Sequence, residues 1–228
     1  MTDAFNFDLE RSPEEEKSEV FSCLNKKTMV YKPLLSALID TAYNIQATRT
    51  ITDVDLEVLE KGLLESYVVV CCHYSGRFLC QLSYVDNRVQ DMLVKLAAYA
   101  SSSVRLNVIT IMLYRPSDKV LKYVIDSGLV DRSSKVRAKT ADVICRLDLK
   151  QYSNVLQECI DKEEKIRVRE EMENCLYWLT HDYKVEEKTE NGYSIWVKTE
   201  NGGIGVTINE EQYNQLDKTV EEIRKGAI

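Results

Sequence analysis

The residues best suited to acid–base or nucleophilic chemistry are two histidines and seven cysteines. Histidine is the side chain that most often moves protons near neutral pH, and an adjacent thiolate would be a nucleophile. His73 follows Cys71 and Cys72 in an apolar stretch, and His181 closes a helical pattern. Neighbours in sequence point in different directions on a helix, so Cys72 and His73 do not form a nucleophilic pair. We interpret both histidines as satisfied core or capping residues.

Metal, phosphate and carboxylate sites also require particular spacings. Structural zinc sites usually pair their ligands as CxxC, and no second pair follows residues 71–73 and Cys80. The glycines at 202–205 precede a strand rather than a helix, which is not a phosphate-loop pattern. Adjacent acids such as Glu163 and Glu164 diverge on a helix. We therefore expect buried, reduced thiols, no metal, no cofactor and no catalytic residue, and thus a non-enzymatic protein.

Composition and charge narrow the class of protein. The 228 residues include only 8 Gly and 3 Pro, and this scarcity of breakers favours helices. The net charge of −7 argues against a protein that holds long nucleic acids by counterion release, and against a polybasic membrane binder. The sequence contains no apolar run of about 18 residues, and its start lacks the basic and apolar regions of an export signal. We expect a cytoplasmic protein without a membrane partner.

The amino-terminal part of the chain predicts irregular helices. Residues 1–20 are acidic, and we interpret them as a solvated lead-in to a short helix at about 14–24. Pro33 occupies a position that the first turn of a helix tolerates, and apolar residues at helical spacing predict a helix to about residue 47.

The next predicted helix is a central, buried one. Thr52 is a good N-cap and is followed by acids, so we expect the helix to begin near residue 53. It becomes apolar nearly all round at 67–72, which is typical of a buried helix. Ser75 and Gly76 are expected to break or bend it.

The most regular stretch is a repeat. The dipeptide Val-Arg recurs every 32 residues, at 104–105, 136–137 and 168–169. Apolar residues follow each valine at offsets drawn from four, seven, eight and eleven, which mark one face of a helix. The segments 120–126 and 155–161 also resemble each other. A unit of two helices is therefore predicted to repeat.

This repeat resembles HEAT repeats, a family of α-solenoids. That family places an Asp in the turn between paired helices and a Val-Arg at the start of the second helix, with six residues from Asp to Arg. Asp131 with Arg137 matches that pattern, and Asp161 with Arg167 matches it too. The resemblance covers residues 86–180.

Two of the repeats depart from the family pattern. In the third, the Asp spacing favours Ile166-Arg167, whereas the apolar register favours Val168-Arg169. The first has Tyr99 where an Asp would fall. The resemblance implies that Asp131, Asp161, Arg137 and Arg167 link stacked turns, so that they are architectural rather than reactive.

The carboxyl-terminal segment predicts a small sheet. The sequence Lys-Thr-Glu-Asn-Gly occurs at 188–192 and again at 198–202, and Asn-Gly is a strong hairpin signal. Residues that suit strands lie around these turns, at 183–185, 193–197 and 204–208. A three-stranded meander is therefore predicted.

A final helix is expected to cover one side of that sheet. Asn209 and Gln212 form a capping-box pattern, and an apolar face follows at Tyr213, Leu216, Val220 and Ile223. We expect the sheet to dock on the last helical pair through one of three aromatic residues, Trp178, Tyr177 or Trp196.

The predicted fold class is mainly α. It is a HEAT-like α-solenoid of about four helical pairs, ended by a small β-meander and a helix. The expected domains are a helical repeat domain at 1–180 and the meander with its helix at 181–228. Within the first, 14–85 form irregular helices and 86–180 form regular repeats.

Solenoids present a face formed by one helix of each pair, and this face binds other macromolecules. The predicted partner-binding positions are on the second helices: Asn107, Thr110, Lys139, Asp142, Glu171 and Asn174. A mixed polar row of this kind suits a protein partner. We therefore expect an adaptor or inhibitor, one form of which is a toxin-immunity protein that occludes a basic toxin.

One alternative comes from the charge distribution. Residues 66–170 contain 17 basic and 12 acidic residues, whereas 1–20 and 181–228 have net charges of −5 and −4. The weakly basic middle leaves open a HEAT-like nucleic-acid-binding enzyme, such as an alkylated-base DNA glycosylase. The acidic total, the β-containing tail and the lack of a dense basic row argue against it.

Overall fold

A computed structural model describes residues 4–7, 9–65, 69–190, 192–199 and 202–226. The chain is mainly helical with a small antiparallel sheet near its carboxyl terminus, which confirms the coarse fold class. It divides into two compact units, Met1–Val143 and Ile144–Ile228. The predicted change from helices to sheet after residue 180 falls within the second unit.

The first unit is helical. Its helices are α1 Pro13–Ser22, α2 Lys32–Thr48, α3 Asp53–Leu64, α4 Val69–Leu82, α5 Asn87–Ala97, α6 Ser102–Ile111, α7 Asp118–Leu129 and α8 Ser134–Arg146, the last of which contains the boundary between units. The predicted N-cap Thr52 is confirmed: its hydroxyl accepts from Asp55 N, and the Asp55 carboxylate accepts from Thr52 N.

The amino-terminal segment is anchored rather than solvated. Phe7 is fully buried, and its ring lies 4.7 Å from that of Phe78. Its backbone N–H donates to Gln46 Oε1, and its carbonyl accepts from Arg77 Nη2. The prediction of a solvated lead-in is therefore wrong at Phe7, because burial of one aromatic ring outweighs the acidic composition around it.

Of the predicted break or bend at Ser75 and Gly76, the break is wrong, because both residues lie inside α4. Ser75 Oγ donates to the carbonyl of Leu59, which ties α4 to α3. Gly76 lies against α6, where an added Cβ would be 2.6 Å from Ile111 Cβ. Glycine therefore serves close packing here rather than helix termination. The predicted apolar residues 67–68 lie outside the described residues.

Helices α3 and α5 run in the same direction. Arg88 Nη1 donates to Asp53 Oδ1 at 2.7 Å, across 35 residues of sequence. Further along both helices, Lys95 Nζ lies 3.8 Å from Glu60 Oε1. The first helices of two successive pairs are thus related by a constant shift in sequence.

Helices α4 and α6 also pack on each other, but at sequence separations that vary. Cys72 Sγ donates to the carbonyl of Asn107, 35 residues away, and Cys80 Sγ donates to that of Ile111, 31 residues away. Ser117 N, at the N-cap of α7, donates to Ser83 Oγ at 2.8 Å, 34 residues away. The first helices α3 and α5 thus keep a constant shift in sequence, whereas the second helices do not.

Three arginines make one repeated contact at the start of second helices. Each donates to the backbone carbonyl six residues earlier: Arg105 to Tyr99, Arg137 to Asp131 and Arg169 to Glu163. Carbonyls just after a helix lack intrahelical donors, so this contact satisfies them. In the third repeat the position is thus held by Arg169 and Glu163. The expectation for Asp161 and Arg167 is corrected accordingly, because the Arg167 side chain is 90% exposed.

The acidic side chains in two of these turns, Asp131 and Glu163, also accept hydrogen bonds from nearby backbone N–H groups. Asp131 Oδ1 accepts from Ser133 N at 2.7 Å, and Glu163 Oε1 accepts from Lys165 N at 3.0 Å. In addition, Asp131 accepts from Arg105 Nε at 2.6 Å and from Nη2 at 2.8 Å. Burial raises the pKa of Asp131, but the Arg105 and Ser133 hydrogen bonds outweigh it, so the pKa lies below 3.8.

The second unit combines helices with the sheet. Its elements after α8 are α9 Ser153–Lys162, α10 Ile166–His181, β1 Tyr183–Thr189, β2 Gly192–Thr199, β3 Gly202–Ile208, α11 Glu210–Asn214 and α12 Leu216–Arg224. The strands pair antiparallel in the order β1-β2-β3, which confirms the predicted meander. Residues 191 and 201 of the predicted turns lie outside the described residues.

One face of the sheet is covered by the terminal helices, as predicted. The core residues on this side are Tyr183, Ile195, Val197, Ile208, Val220 and Ile223, with Tyr213 and Leu216 packed against them. The Asn209–Gln212 capping box is present. The apolar face read from the sequence is therefore the face that packs on the sheet.

Docking of the sheet on α10 uses two of the three predicted aromatic residues. Lys198 Nζ lies 4.9 Å from the ring centroid of Trp178, and the rings of Tyr177 and Tyr183 meet edge to face at 5.6 Å. The third alternative, Trp196, alternates with the buried residues of β2 and is 41% exposed, on the face of the sheet opposite the terminal helices.

Candidate functional site

Six polar side chains of the first unit define the candidate site, which we call the His73 face. It consists of His73 on α4, Asn107 and Thr110 on α6, Tyr114 just after α6, and Lys139 and Asp142 on α8. Four of these residues were predicted from the sequence. His73 and Tyr114 were not among the predicted binding positions.

His73 and Tyr114 form the centre of this face. His73 Nδ1 lies 2.5 Å from the Tyr114 hydroxyl, and the two rings meet edge to face. Burial, and then the charge of Lys139, lower the pKa of His73 below 6.5. Burial raises the pKa of Tyr114 above 10.0. Both groups are therefore neutral at pH 7, and they form a polar pair rather than a charged one.

The thiols beside His73 are not activated. Burial raises the pKa of Cys71 to about 11 and that of Cys72 to about 12, so both stay protonated at neutral pH. Cys72 Sγ donates to the carbonyl of Asn107, whereas His73 bonds to Tyr114. The two neighbours diverge as their positions on one helix predict.

The side chains of Asn107 and Thr110 already make hydrogen bonds within the chain. Asn107 Nδ2 donates to the carbonyl of Leu63 at 2.8 Å and to that of Glu65 at 3.3 Å. It therefore caps the end of α3 and fixes α6 against it. Thr110 Oγ1 donates to the carbonyl one turn earlier, that of Leu106. Both side chains are half-buried, so their role at a partner surface is secondary to this architectural one.

Lys139 and Asp142 supply the charges of the His73 face. Lys139 Nζ lies 2.5 Å from Asp142 Oδ2, and the two side chains are 26% and 45% exposed. A cation and an anion one turn apart nearly cancel, so this pair adds directional polar groups without a strong net field.

The remaining two predicted positions, Glu171 and Asn174, lie on α10 in the second unit. Glu171 Oε1 accepts from Arg167 Nε at 3.4 Å, and Asn174 is exposed. The predicted positions are thus divided between the two compact units, with four in the first and two in the second.

No sequence signal marked His73 as part of this face. Only residues from 86 onward show the repeat in sequence, so α4 could not be aligned with α6. Tyr114 lies beyond the helical pattern and carries no repeat signal.

Within the described ranges, no group of three or more His, Cys, Asp or Glu residues is arranged to hold a metal ion. Nor does any helix in the described part of the chain have both the length and the apolarity to cross a membrane. Comparison of the chain with protein-family models, curated proteins and solved structures finds no match.

Proposed function

We propose that the chain is a non-enzymatic protein-binding module of the HEAT-like α-solenoid class, acting as an adaptor or inhibitor through the His73 face. The observation that supports this proposal is the common direction of the first helices α3 and α5, which two ion pairs join at a constant shift of 35 residues. Stacked helical pairs of this kind offer one helix of each pair to a partner. The His73 face is built on such second helices.

The chemistry of the face suits a protein better than DNA. It offers an amide, a hydroxyl, a neutral His–Tyr pair and one cation whose charge is offset by an adjacent anion. DNA binding instead depends on several cations that neutralise phosphates. With a net charge of −7, the chain favours a basic partner, such as a basic toxin occluded by an immunity protein.

The proposal is tested by identifying a stoichiometric partner that co-purifies with the tagged full chain, and then by measuring its affinity for two matched variants. Lys139→Glu reverses a charge on the His73 face. Lys122→Glu makes the same change in a similar intrahelical Lys–Asp pair on α7, where Lys122 Nζ lies 2.6 Å from Asp126. We expect Lys139→Glu to tighten binding of a basic partner about ten-fold or more, since it adds negative charge within the interface, whereas Lys122→Glu adds the same charge outside it.

Equal affinities of the two variants would remove the His73 face from the proposal. The nucleic-acid alternative is tested with the wild-type chain and a labelled DNA duplex at low salt. We expect no change in anisotropy. Binding that weakens steeply with added salt would instead favour the nucleic-acid-binding enzyme.

A further inference from the structure

A groove of about 490 Å³ lies between α9 and α10 in the second unit. Ile160 and Leu176 contribute its apolar lining. Gln157 lies on the α9 side, and the α10 side carries Glu173 and Tyr177. His181 also lines the groove, so that one row of α10 presents residues 173, 177 and 181 at intervals of one turn. Neither the HEAT resemblance nor the His73 face involves this groove.

The aromatic part of the groove is flat and fixed in place. The rings of Tyr177 and His181 stack with centroids 4.0 Å apart and an interplanar angle of 11°. Tyr183 meets both rings close to edge on, and this holds the stack at the end of α10. Two stacked rings present a π surface that attracts a cation.

The same histidine is held through one ring nitrogen. His181 Nδ1 lies 2.9 Å from Thr180 Oγ1 and 3.1 Å from the carbonyl oxygen of Tyr177. These contacts fix the imidazole ring within the aromatic stack. Its other nitrogen, Nε2, adds a polar atom next to the π surface.

Hydrogen-bond acceptors lie on both walls of the groove. Glu173 is exposed and carries a carboxylate one turn before Tyr177. Across the groove, Gln157 Nε2 donates to Asp161 Oδ1 at 2.9 Å, which orients the other amide atom, Oε1, as an acceptor. Residues 144–228 contain 18 acidic and 12 basic residues, so the surrounding field also favours a cation.

We propose that this groove binds the arginine side chain of a basic protein segment. A guanidinium is planar and has five donors, so it can stack on the aromatic pair while it bonds to the Glu173 carboxylate and to acceptors beside it. A lysine ammonium lacks the planar face and the forked donors. The groove is in a different unit from the His73 face, and the proposal stands independently of that one.

The test titrates the full chain with N-acetyl-L-arginine amide and with N-acetyl-L-lysine amide, and follows the His181 ring protons by NMR. We expect the arginine compound to bind more tightly than the lysine compound. Glu173→Gln should weaken arginine binding about ten-fold, since it removes a charge-assisted hydrogen bond. The control Glu158→Gln changes the charge by the same amount at an exposed position of α9 outside the groove lining, and should leave the affinity unchanged.

Three results would overturn the proposal: no shift of the His181 signals, equal affinities for the two compounds, or equal losses in the two variants. Tyr177→Leu keeps the apolar bulk but removes the π face, and should abolish the preference for arginine. Retention of that preference would also contradict the proposal. Lys139→Glu should leave the arginine titration unchanged, so failure at the His73 face is distinguished from failure at this groove.

Discussion

Arg105 and Asp131 form the contact between repeats that is easiest to test at the residue scale. Their side chains are only 5% and 10% exposed and share two hydrogen bonds. Asp131→Asn would leave the buried guanidinium without its counter-charge, so we expect a loss of about 3 kcal/mol in the free energy of unfolding, measured with urea. Arg167→Ala breaks an exposed intrahelical pair with Glu171, and should change it by less than about 0.5 kcal/mol.

His73 gives the second residue-scale prediction, which concerns pH. Its pKa is lowered in the folded chain, first by burial and then by Lys139, whereas the unfolded chain keeps the ordinary value of 6.5. The unfolded state therefore binds more protons below pH 6.5, and stability is lost as the pH falls from 6.5 through the folded pKa. His73→Gln should flatten this part of the stability profile.

The role of Lys139 in that shift is tested separately. Lys139→Gln removes the positive charge near His73 and should raise the pKa of His73, although burial still keeps that pKa below 6.5. NMR of the His73 ring protons measures the change. Lys122→Gln on α7 serves as the matched control. An equal shift of the His73 pKa in both variants would contradict the electrostatic effect that we assign to Lys139.

Sequence patterns predicted the repeated arginines but could not choose between Arg167 and Arg169. Both follow an apolar residue, and acids precede both by six residues. Burial decides: Val168 is 6% exposed, whereas Ile166 is 70% exposed. The contact between His73 and Tyr114 was not predictable, because it joins residues 41 positions apart whose partnership depends on how α4 packs on α6.

At the element scale, Gly76 tests the packing of α4 on α6. Helix propensity alone predicts that Gly76→Ala stabilises α4 by about 1 kcal/mol. The close approach of Ile111 predicts the opposite sign, a loss of about 1–3 kcal/mol from overpacking. Urea unfolding measures the sign. In a double-mutant cycle with Ile111→Ala the cost should fall, since that change removes two of the three atoms nearest to the added Cβ.

The turn before β2 gives a second element-scale prediction. Gly192 has a φ of 136°, and an added Cβ would lie 2.9 Å from the Ile208 carbonyl carbon. Gly226 also has a positive φ, 70°, but an added Cβ there meets nothing within 4 Å. Gly192→Ala should therefore lower the unfolding temperature by more than Gly226→Ala, which carries only the backbone cost of about 1 kcal/mol. Similar shifts would show that the backbone alone sets the cost.

Element boundaries were predicted best where a local signal sets them. Thr52 and Asn209 are side-chain caps, so the starts of α3 and α11 followed from nearest neighbours in sequence. The predicted helix break at Gly76 was wrong because the role of this glycine is set by Ile111, on another helix. The predicted solvation of Phe7 was wrong for the same reason, since residues that are distant in sequence form its pocket.

At the scale of the whole molecule, the carboxyl-terminal sheet either caps the preceding helices or contacts a partner. The contacts of the sheet within the second unit favour capping. Its β1 strand packs on α10, and Lys198 bonds to Asp182 at the end of that helix and also lies over Trp178. Removal of the sheet would expose Trp178 and leave the Asp182 carboxylate with fewer cationic partners. Trp196 lies on the same face of β2 as Lys198, but its side chain is 41% exposed and the contact between Lys198 and Trp178 does not involve it.

Deletion of residues 184–228 should therefore lower both the solubility and the cooperativity of helix unfolding, measured by circular dichroism at 222 nm. Trp196→Ala in the full chain keeps the covered side of the sheet and should leave the helical transition close to that of the wild type. A truncated chain that stays soluble with an unchanged transition would contradict capping. If Trp196→Ala abolished binding of the co-purifying partner, the exposed surface around Trp196 would be the recognition surface. A cap acts through the contact between Trp178 and Lys198, which that variant leaves in place.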